Sequence, residues 1–582
     1  MRFNYFARPT PTPDDKHMRP EKKLMSKRQW PGWGLAVTVL CGLTGVQAQT
    51  LPDAGSIRQQ IEAPRALPLP QAAPVQRVTP PPQILPPSGM TVRVKAFRFA
   101  GNRLLGTQAL SPAVADFVGR ELAYEGLLRA ADAVVSAYRE AGWIAQVYLP
   151  EQDVNEGTIT LQVIEARFAG VRLEGELPKR VMPAVLEAIF AAAQKTDQPL
   201  NADQLDRALL LADDLPGISL AGTLAQGSSD GQTALVLQTT DEPLAYGDVG
   251  LDNTGARATG SQRLAVNLNI NSPGGRGELI SLTGLHTEGS HYGRAALTVP
   301  VGYDGLRLGF NLSSMVYKVV DGPGADTAAQ IQGSSGSVGL DLNYPLLRAR
   351  TQNLYLLAGL DSKTFYTRDL QVRSDYASNS LRLGLSANRF DEWAGGGANS
   401  VSLQWSVGQL TDMQAHSLMD TIDRNYRKWS YSLSRQQAVS GSHSVLLAVQ
   451  GQYASQTLDS SEKFYIGGAQ SVRAYPASEL GGERGQFLSA EWRWRLDKAW
   501  LLTAFVDHGR VVGLPTTSGE PPTDLRLQGR GMSATWQGLK GVVAKLTYAR
   551  RDGHNPRPTA VGNDSDGTLK LDRLWFNLSL SF

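Results

Sequence analysis

The chain has 582 residues, of which 42% are hydrophobic and 19% are charged, and its formal net charge is +3 at pH 7. This length is too great for one ordinary domain, so we expect several. The charge is close to balance and favours no class of partner, and we expect no nucleic-acid binding. The sequence lacks the apolar run of about 18 residues that a transmembrane helix requires. A mean hydropathy of -0.23 still permits membrane-spanning strands, because such strands present only one face to lipid.

The first part of the chain has the features of an export signal. Basic residues precede an apolar run over 34–43, and Ala48 follows it closely. A basic region, a short apolar region and a small residue at the cleavage point are typical of a secretory signal peptide. We therefore expect residues 1–48 to be a signal peptide. Because this leader is long, Met18 or Met25 is an alternative start.

The single cysteine, Cys41, lies inside that apolar run. Lipid attachment at Cys41 is the alternative to simple cleavage, but the bulky Leu40 before it argues against a lipoprotein. Once the signal is removed, the exported chain has no cysteine. Strand pairing and packing must then stabilise it without disulfides.

A short helix and a proline-rich segment follow the signal. In the predicted helix over 49–63, Ile57 and Ile61 share one face. A helix this short is marginal alone in water and needs a surface to lie on. Prolines recur over 64–89 and predict an extended linker. The segment is either a disordered tether or a helix with a docking place on the rest of the protein.

Two small α+β repeats come next, over 90–166 and 167–242. Each repeat has the predicted order strand, helix, helix, strand, strand. In the first repeat the helices are expected over 110–119 and 125–141. Each repeat is small and has a thin core.

From 243 to 582 the helical period disappears and alternating strands replace it. Leu306, Leu308 and Phe310, for example, alternate with Arg307 and Gly309. Strand segments of about ten residues suit a tilted membrane strand. At roughly 20 residues per strand and connection, about 16 antiparallel strands are expected. They must close into a β-barrel, since an open edge in lipid would leave backbone groups unpaired.

Two motifs suggest chemistry, but neither has the right context. Gly227–Gly231 matches the nucleophile-elbow pattern, which requires a strand-to-helix turn and here joins two strands. His286 and His291 flank an apparent strand turn without a second cluster of metal ligands. The sequence has no P-loop, no HExxH motif and no cysteine pair. We therefore expect no enzymatic activity, no cofactor and no metal site.

A glycine-rich segment in the barrel region is more informative. Residues 464–486 contain Val472-Arg473-Ala474-Tyr475, and a strand carrying Phe505-Val-Asp507-His-Gly509 follows. The first segment resembles the large lumenal loop of the Omp85/TpsB superfamily, whose tip reads V-R-G-[FY]. The second resembles the F-x-D-x-G strand of the same superfamily.

The resemblance implies a contact between these two motifs. The loop folds back into the barrel, and Arg473 pairs with Asp507 on the barrel wall. Glu491 lies on the polar face of its own strand and is a possible second partner. A buried guanidinium needs such a carboxylate. The alternative is a solvated loop arginine. Ala474 departs from the family pattern, which has glycine at that position.

The resemblance covers nearly the whole of the chain after the predicted signal. The two repeats resemble POTRA domains, and residues 49–63 resemble the plug helix that lies in the pore at rest. This combination is typical of TpsB two-partner secretion transporters of the hemolysin secretion/activation type. It implies an outer-membrane protein of a Gram-negative bacterium, with its POTRA domains in the periplasm.

The same resemblance implies partners. The POTRA domains would bind an exoprotein, outer-membrane lipids would surround the barrel, and the barrel assembly machinery would insert it. An insertase of the same superfamily is the alternative function, although insertases usually carry more POTRA units and lack the plug. A passive porin or receptor is a further alternative, which the loop motif and the two repeats disfavour.

Overall fold

The computed structural model describes residues 53–62, 91–153, 156–229, 231–321, 331–368, 373–412, 422–515 and 521–582. The predicted signal peptide and proline-rich linker lie outside the described residues. Within the described ranges, no helix is both long enough and apolar enough to cross a membrane.

A short helix comes first, followed by an α+β domain. In this domain β5 is the central strand, parallel to β2 and antiparallel to β4, and helices α2 and α3 pack on the sheet. The elements are α1 (Ala54–Glu62), β1 (Thr91–Arg93), β2 (Ala96–Ala100), α2 (Thr107–Val114), β3 (Glu121–Ala123), α3 (Tyr124–Glu140), β4 (Ala145–Tyr148) and β5 (Thr158–Glu165).

The helix predicted over 110–119 differs from the structure. It begins at Thr107, changes to a 3-10 turn at Ala115 and ends before Gly119, whose φ is +80°. A glycine with positive φ ends a helix readily because it has no Cβ. The short pair β1 and β3 was not predicted, since three-residue strands leave little periodic signal.

The second α+β domain repeats this arrangement. Its central strand β8 is parallel to β6 and antiparallel to β7, and the core lies between this sheet and two helices. The side chain of Asn201 caps the second helix by accepting from the backbone N–H of Gln204 at 2.9 Å. The elements are β6 (Arg167–Glu174), α4 (Pro183–Ala193), α5 (Ala202–Asp213), β7 (Ile218–Gln226) and β8 (Gln232–Asp241).

The rest of the chain forms a closed barrel of 16 antiparallel strands, which confirms the predicted fold class. Strands β20 and β21 pair only with each other and belong to a loop. The strands are β9 (Ala245–Asp252), β10 (Arg263–Asn271), β11 (Leu279–His286), β12 (Ser290–Val301), β13 (Leu306–Lys318), β14 (Gln332–Arg348), β15 (Gln352–Arg368), β16 (Arg373–Asp391), β17 (Gly397–Asp412), β18 (Asn425–Ala438), β19 (His443–Ala454), β20 (Phe464–Ile466), β21 (Leu480–Gly482), β22 (Arg484–Arg495), β23 (Trp500–Gly513), β24 (Thr523–Leu539), β25 (Val542–Arg551) and β26 (Asp572–Ser581).

The two faces of the barrel wall differ in chemistry. Along β13, Phe310 and Leu312 are 43% and 47% exposed, whereas the alternate residues Asn311 and Ser313 are 7% and 5% exposed. Successive side chains of a strand point to opposite faces. The apolar residues therefore point outward to lipid, and the polar residues point into the lumen.

The second α+β domain docks on one end of the barrel. Asp206 and Asp214, on and just after α5, pair with Arg350 and Arg348 at the β14–β15 turn, each at 2.8–2.9 Å. Arg207 pairs with Asp304 in the β12–β13 turn at 2.9 Å. These turns mark what we call the domain end of the barrel, and the strand ends remote from them form the far end.

A long loop from the far end folds into the lumen. It runs over 455–483, between β19 and β22, and we call it the lumenal loop. The predicted bounds of 464–486 were wrong at both ends. Residues 484–486 already pair with β23, and the loop starts directly after Ala454. The bounds of the loop follow from which residues pair with the neighbouring strands. The loop motif alone does not reveal this pairing.

Candidate functional site in the barrel lumen

The guanidinium of Arg473 is buried at the tip of the lumenal loop. Its Nε and Nη2 atoms donate to the two carboxylate oxygens of Asp507 at 2.8 and 2.7 Å. Nη1 donates to Glu491 at 2.8 Å, and Nη2 also donates to the Ser489 hydroxyl at 2.9 Å. The centroid of the Phe505 ring lies 3.4 Å from Cζ. Charge-assisted, bidentate bonds of this kind offset the cost of burying an arginine.

The other predicted motif residues surround this contact. Val472, Ala474 and Tyr475 are fully buried. Gly509 leaves room for the loop, since a Cβ there would lie 2.7 Å from Cγ2 of Val472. Ala474, where the family has glycine, does not have a positive φ. Its methyl group lies beside Gly529, 2.6 Å from where a Cβ of that glycine would stand. Alanine therefore fits this tip without backbone strain.

Two partners of this site were not predicted. Ser489 donates to Asp507 at 2.9 Å, and the indole N–H of Trp575 donates to the backbone carbonyl of Arg473 at 2.8 Å. Both side chains come from inward positions of their strands. The alternation of the strands could have placed them in the lumen, but it could not have assigned their partners.

A loop at the far end holds the lumenal loop from the other side. Between β25 and β26, Asp564 is fully buried and pairs with Arg551, whose guanidinium lies 4.7 Å from the ring centroid of Tyr475. Glu479 of the lumenal loop accepts from Asn555 and from the backbone N–H of Ser565. The tip is therefore fixed both to the barrel wall and to an external loop.

The start of the lumenal loop is fixed by a buried carboxylate. Glu462 pairs with Lys363 of β15 at 3.0 Å and with Lys428 of β18 at 2.8 Å. Burial alone would raise the pKa of Glu462, but the two ammonium groups hold this pKa well below its usual range. Gln452 also donates to its backbone carbonyl at 2.8 Å. The motif did not indicate this anchor.

Helix α1 lies inside the lumen, against inward-facing residues of the wall. Ile57 is 2% exposed, and the half-buried Ile61 packs against the same cluster. The wall residues of this cluster are aromatic and aliphatic and lie near the far end, namely Tyr292, Met315, Tyr317, Val319, Ile331, Phe365, Tyr376 and Leu410. The two isoleucines predicted to share a face therefore contact one surface.

A buried arginine ties α1 to the wall. Arg58 is 3% exposed and donates to the hydroxyls of Ser313 and Ser335 at 2.7 and 2.8 Å, and also to that of Ser337. Within the helix it pairs with Glu62 at 2.8 Å. Glu62 thus neutralises the charge of Arg58 within α1. The other N–H groups of Arg58 donate to the barrel wall.

Helix α1 also contacts the lumenal loop. The hydroxyl of Ser460 donates to Asp53 at 2.8 Å, and the amide of Gln59 donates to the carbonyl of Lys463. Burial and the charge of Asp53 raise the pKa of Asp459, which lies in this loop outside the barrel strands, to about 6. Helix α1 and the lumenal loop are therefore in contact with each other and together occupy the lumen.

The two motifs that suggested chemistry lie elsewhere. The Gly227–Gly231 segment lies between β7 and β8, which pair antiparallel, and no helix follows it directly. His286 and His291 face each other across the β11–β12 hairpin, with their Nδ1 atoms 2.9 Å apart. In the described part of the chain, no group of three or more metal-ligating side chains comes together.

Comparison with known proteins gives two family matches. Residues 231–534, more than half of the chain, match the model of the haemolysin secretion/activation protein ShlB/FhaC/HecB. Residues 92–166, which contain the first α+β domain, match the ShlB-type POTRA domain.

Individual relatives agree with this assignment. The chain is 24% identical over 424 residues to the heme/hemopexin transporter protein HuxB of Haemophilus influenzae (strain 86-028NP), which covers 70% of this chain and 74% of HuxB. It is 26% identical over 446 residues to the outer membrane transporter CdiB of Escherichia coli O6:K15:H31, which covers 70% of this chain and 73% of CdiB.

Two solved structures share the fold. CdiB from Escherichia coli matches with a TM-score of 0.65 and 21% identity, covering 88% of this chain and 94% of CdiB. BamA from Haemophilus ducreyi lacking POTRA domains 1–3 matches with a TM-score of 0.52 and 13% identity, covering 84% of this chain and 99% of that one. The barrel fold alone therefore does not decide function.

The family match identifies the function, which the fold alone does not decide. The plugged 16-strand barrel and the α+β domains are what the Omp85/TpsB resemblance implied, and the matched family is one of transporters. The chain belongs to the ShlB/FhaC/HecB haemolysin secretion/activation family and is an outer-membrane transporter that secretes a partner exoprotein, with its POTRA domains in the periplasm.

Proposed function

We propose that the exoprotein passes through the barrel lumen, and that α1 closes this path at rest. The observation that carries the proposal is the position of α1 among inward-facing residues, with Arg58 buried against Ser313 and Ser335. A short helix held by hydrogen bonds, with Ile57 buried and Ile61 half-buried, can be released from the wall. Burial of Ile57 contributes roughly 1.5–3 kcal/mol, and the polar partners can bind water after release.

The POTRA domains would bind the exoprotein before it enters the barrel. Each three-stranded sheet has two edges, and β4 and β7 are edge strands. No described strand pairs with the outer side of β7. An extended chain can add to such an edge through main-chain hydrogen bonds, with side-chain pockets giving specificity. The sequence contains no P-loop, so folding of the exoprotein outside the cell would drive its passage.

The barrel itself would be inserted by the barrel assembly machinery and then contact outer-membrane lipids. The outward residues of β26, among them Leu574, Phe576 and Leu580, are exposed and apolar. A lipid-facing surface of this kind supports contact with the membrane.

The arrangement around Arg473 supports a positioning role for this residue in export. Its bonds hold the lumenal loop against the wall, and the same loop contacts α1 through Ser460. We propose that this loop moves with α1 when the lumen opens.

Single-channel recording tests the plug. Deleting residues 53–62 should raise the baseline conductance, because the lumen then loses the helix that fills it at the far end. Arg58→Ala should give flickering openings, since three wall contacts and the pair with Glu62 are lost together.

Gln60→Ala is the matched control, since Gln60 is on the same helix, is half-buried, and its side chain makes no hydrogen bond with the described residues of the wall. It should keep the closed state. Unchanged conductance after deletion of the helix would show that α1 is not the plug, and the family assignment would still stand.

A further inference from the structure

The outer wall of the barrel has a groove near the far end, on the lipid-facing side. It crosses β14 to β18 and has a volume of about 1000 Å³. Its walls are outward side chains. Leu340 and Leu360 are each 54% exposed, and the floor between the two rows includes Gly339 and Gly408, which have no side chain.

Two rows of paired residues line this groove and differ in polarity. The row nearer the domain end is apolar and consists of Leu340, Leu360, Leu381 and Val407. The row nearer the far end begins with Val338 on β14 and is otherwise polar, with Ser362, Asn379, Gln409 and Asn425. The groove therefore crosses the edge of the apolar band of the barrel, where hydrocarbon gives way to headgroups.

An arginine lies at the β18 end of the groove. Arg427 pairs with Val407 at the end of the apolar row, and its side chain points outward and is exposed. No carboxylate of the described residues lies within salt-bridge distance of Arg427. The adjoining acid, Asp423, is instead bonded to Thr457 at 2.7 Å.

A second arginine and two aromatic rings lie beside it. Trp429 and Tyr453 are paired on β18 and β19, point outward and are 46% and 51% exposed. On the next strand, the guanidinium of Arg484 lies 4.7 Å from the ring centroid of Tyr453, and its Nε donates to a backbone carbonyl. We call Arg427, Trp429, Tyr453 and Arg484 the outer basic patch.

A cation at the edge of the hydrocarbon is costly unless an anion meets it. Arginine binds phosphate oxygens bidentately, and exposed aromatic rings suit the membrane–water interface. The POTRA domains place the domain end in the periplasm, so the far end faces the outer leaflet.

We propose that the outer basic patch and the groove bind one phosphorylated lipid of the outer leaflet, lipid A. Its phosphates would contact Arg427 and Arg484, and its acyl chains would cross the apolar row and extend over the wall toward the domain end. Lipid A is favoured over a phospholipid because two separate cations match a headgroup with two phosphates. The groove is wide enough, over five strands, for several chains.

Lipid retention tests this site without reference to export. The full-length protein is reconstituted in phosphatidylcholine vesicles that contain lipid A, dephosphorylated lipid A or phosphatidylglycerol. It is then extracted in detergent and analysed by native mass spectrometry. The wild-type protein should retain lipid A only. Arg427→Gln with Arg484→Gln should lose it, and each single substitution should weaken binding roughly tenfold or more.

Two further variants define the site. Ser362→Trp should block the groove and reduce retention while both arginines remain. Arg510→Gln is the control, because Arg510 also points outward near the far end but is neutralised by Asp524 at 2.7 Å. Heat-dependent mobility in gels checks that each variant is folded. Equal retention by the double variant, equal retention of phosphatidylglycerol, or no lipid on the wild-type protein would each overturn the proposal.

Discussion

At the scale of single residues, Arg473 has the most demanding environment. The carboxylate of Asp507 is fully shielded from solvent, and each of its two oxygens accepts a charge-assisted hydrogen bond from this guanidinium. Removing one partner of a buried pair leaves an uncompensated charge and costs about 3–5 kcal/mol. Lysine keeps the charge but cannot reach Asp507, Glu491 and Ser489 together, because it lacks the planar fork.

Arg473→Lys and Arg473→Ala should therefore both reduce secretion of the exoprotein strongly, while the barrel still inserts. The measurement is the amount of exoprotein outside the cell, with heat-dependent mobility as the test of folding. Arg493→Lys is the matched control, because Arg493 also faces the lumen and binds Glu491 at 2.7 Å but does not touch the loop. Normal secretion by Arg473→Ala would rule out the role given to this residue.

The pairing of Arg473 with Asp507 could be predicted from sequence because each residue lies in a short recognisable motif. The anchor formed by Glu462, Lys363 and Lys428 could not be placed in this way. Its three members are on separate elements, and Glu462 and Lys363 are 99 positions apart. Strand alternation directs both lysines inward, but register alone decides which carboxylate they meet, and register follows from the closed barrel.

At the scale of elements, the docking of α1 is linked to a proton. The pKa of Asp459 is raised from 3.8 to about 6 by burial and by Asp53, the residue before α1. Tyr376 and Ser461 donate to Asp459 and moderate this rise. Asp53 moves with α1, so its contribution to this rise exists only in the docked state, which therefore binds the proton more tightly. Docking is favoured when Asp459 is protonated and weakens as the pH rises through about 6.

Conductance through the barrel should accordingly be lower at pH 5 than at pH 7. Asp459→Asn should remove this difference, because an amide does not titrate. Asp53→Asn should reduce it, and asparagine still caps the helix. Single-channel recording at both pH values is the measurement. The same pH dependence in Asp459→Asn and in the wild-type protein would contradict the linkage.

The element types were predictable because their periods differ. Apolar residues repeat at helical spacing in α3 and alternate in the barrel strands, and both patterns follow from burial of one face. Element ends were less predictable. The helix predicted to begin at 110 starts at Thr107, and the lumenal loop starts at 455 because Ala454 is the last residue that the neighbouring strand pairs. The ends of these elements depend on tertiary contacts, which local composition does not reveal.

At the scale of the whole molecule, α5 of the second POTRA domain is held to the barrel by ion pairs. Asp206, Arg207 and Asp214 each bind a different residue of two periplasmic turns. An exposed pair contributes about 0–1 kcal/mol and is screened by salt. Three pairs to two turns act together, so they define the angle at which this domain meets the barrel.

Asp206→Asn combined with Asp214→Asn should loosen this domain. Spin labels on α5 and on the β16–β17 turn should show a broader distance distribution than in the wild-type protein, and high salt should broaden the wild-type distribution in the same way. Lys179→Gln is the control, because its pair with Glu176 is exposed and lies within the domain. An unchanged distribution in the double variant would show that the ion pairs of Asp206 and Asp214 do not fix the position of the domain.

Export through the lumen and insertion of other barrels make different demands on the seam that closes the barrel. The seam between β26 and β9 has five paired residues, against eight between β9 and β10. A protein that releases strands into the membrane must open such a seam, whereas passage through the lumen leaves it closed. Gly250 and Ser579 are directly paired across it and face the lumen. A cysteine pair there can form a disulfide, since antiparallel partners lie about 4.5–5.5 Å apart.

Gly250→Cys with Ser579→Cys should therefore secrete the exoprotein equally well when oxidised and when reduced. The only natural cysteine, Cys41, lies in the predicted signal peptide, so it should not compete. Ser533→Cys with Thr547→Cys, paired between β24 and β25, controls for the effect of a disulfide in the wall. If oxidation of the seam pair stopped secretion and a reductant restored it, while the control pair had no effect, the route would be lateral. The seam, and not the lumen, would then be the gate.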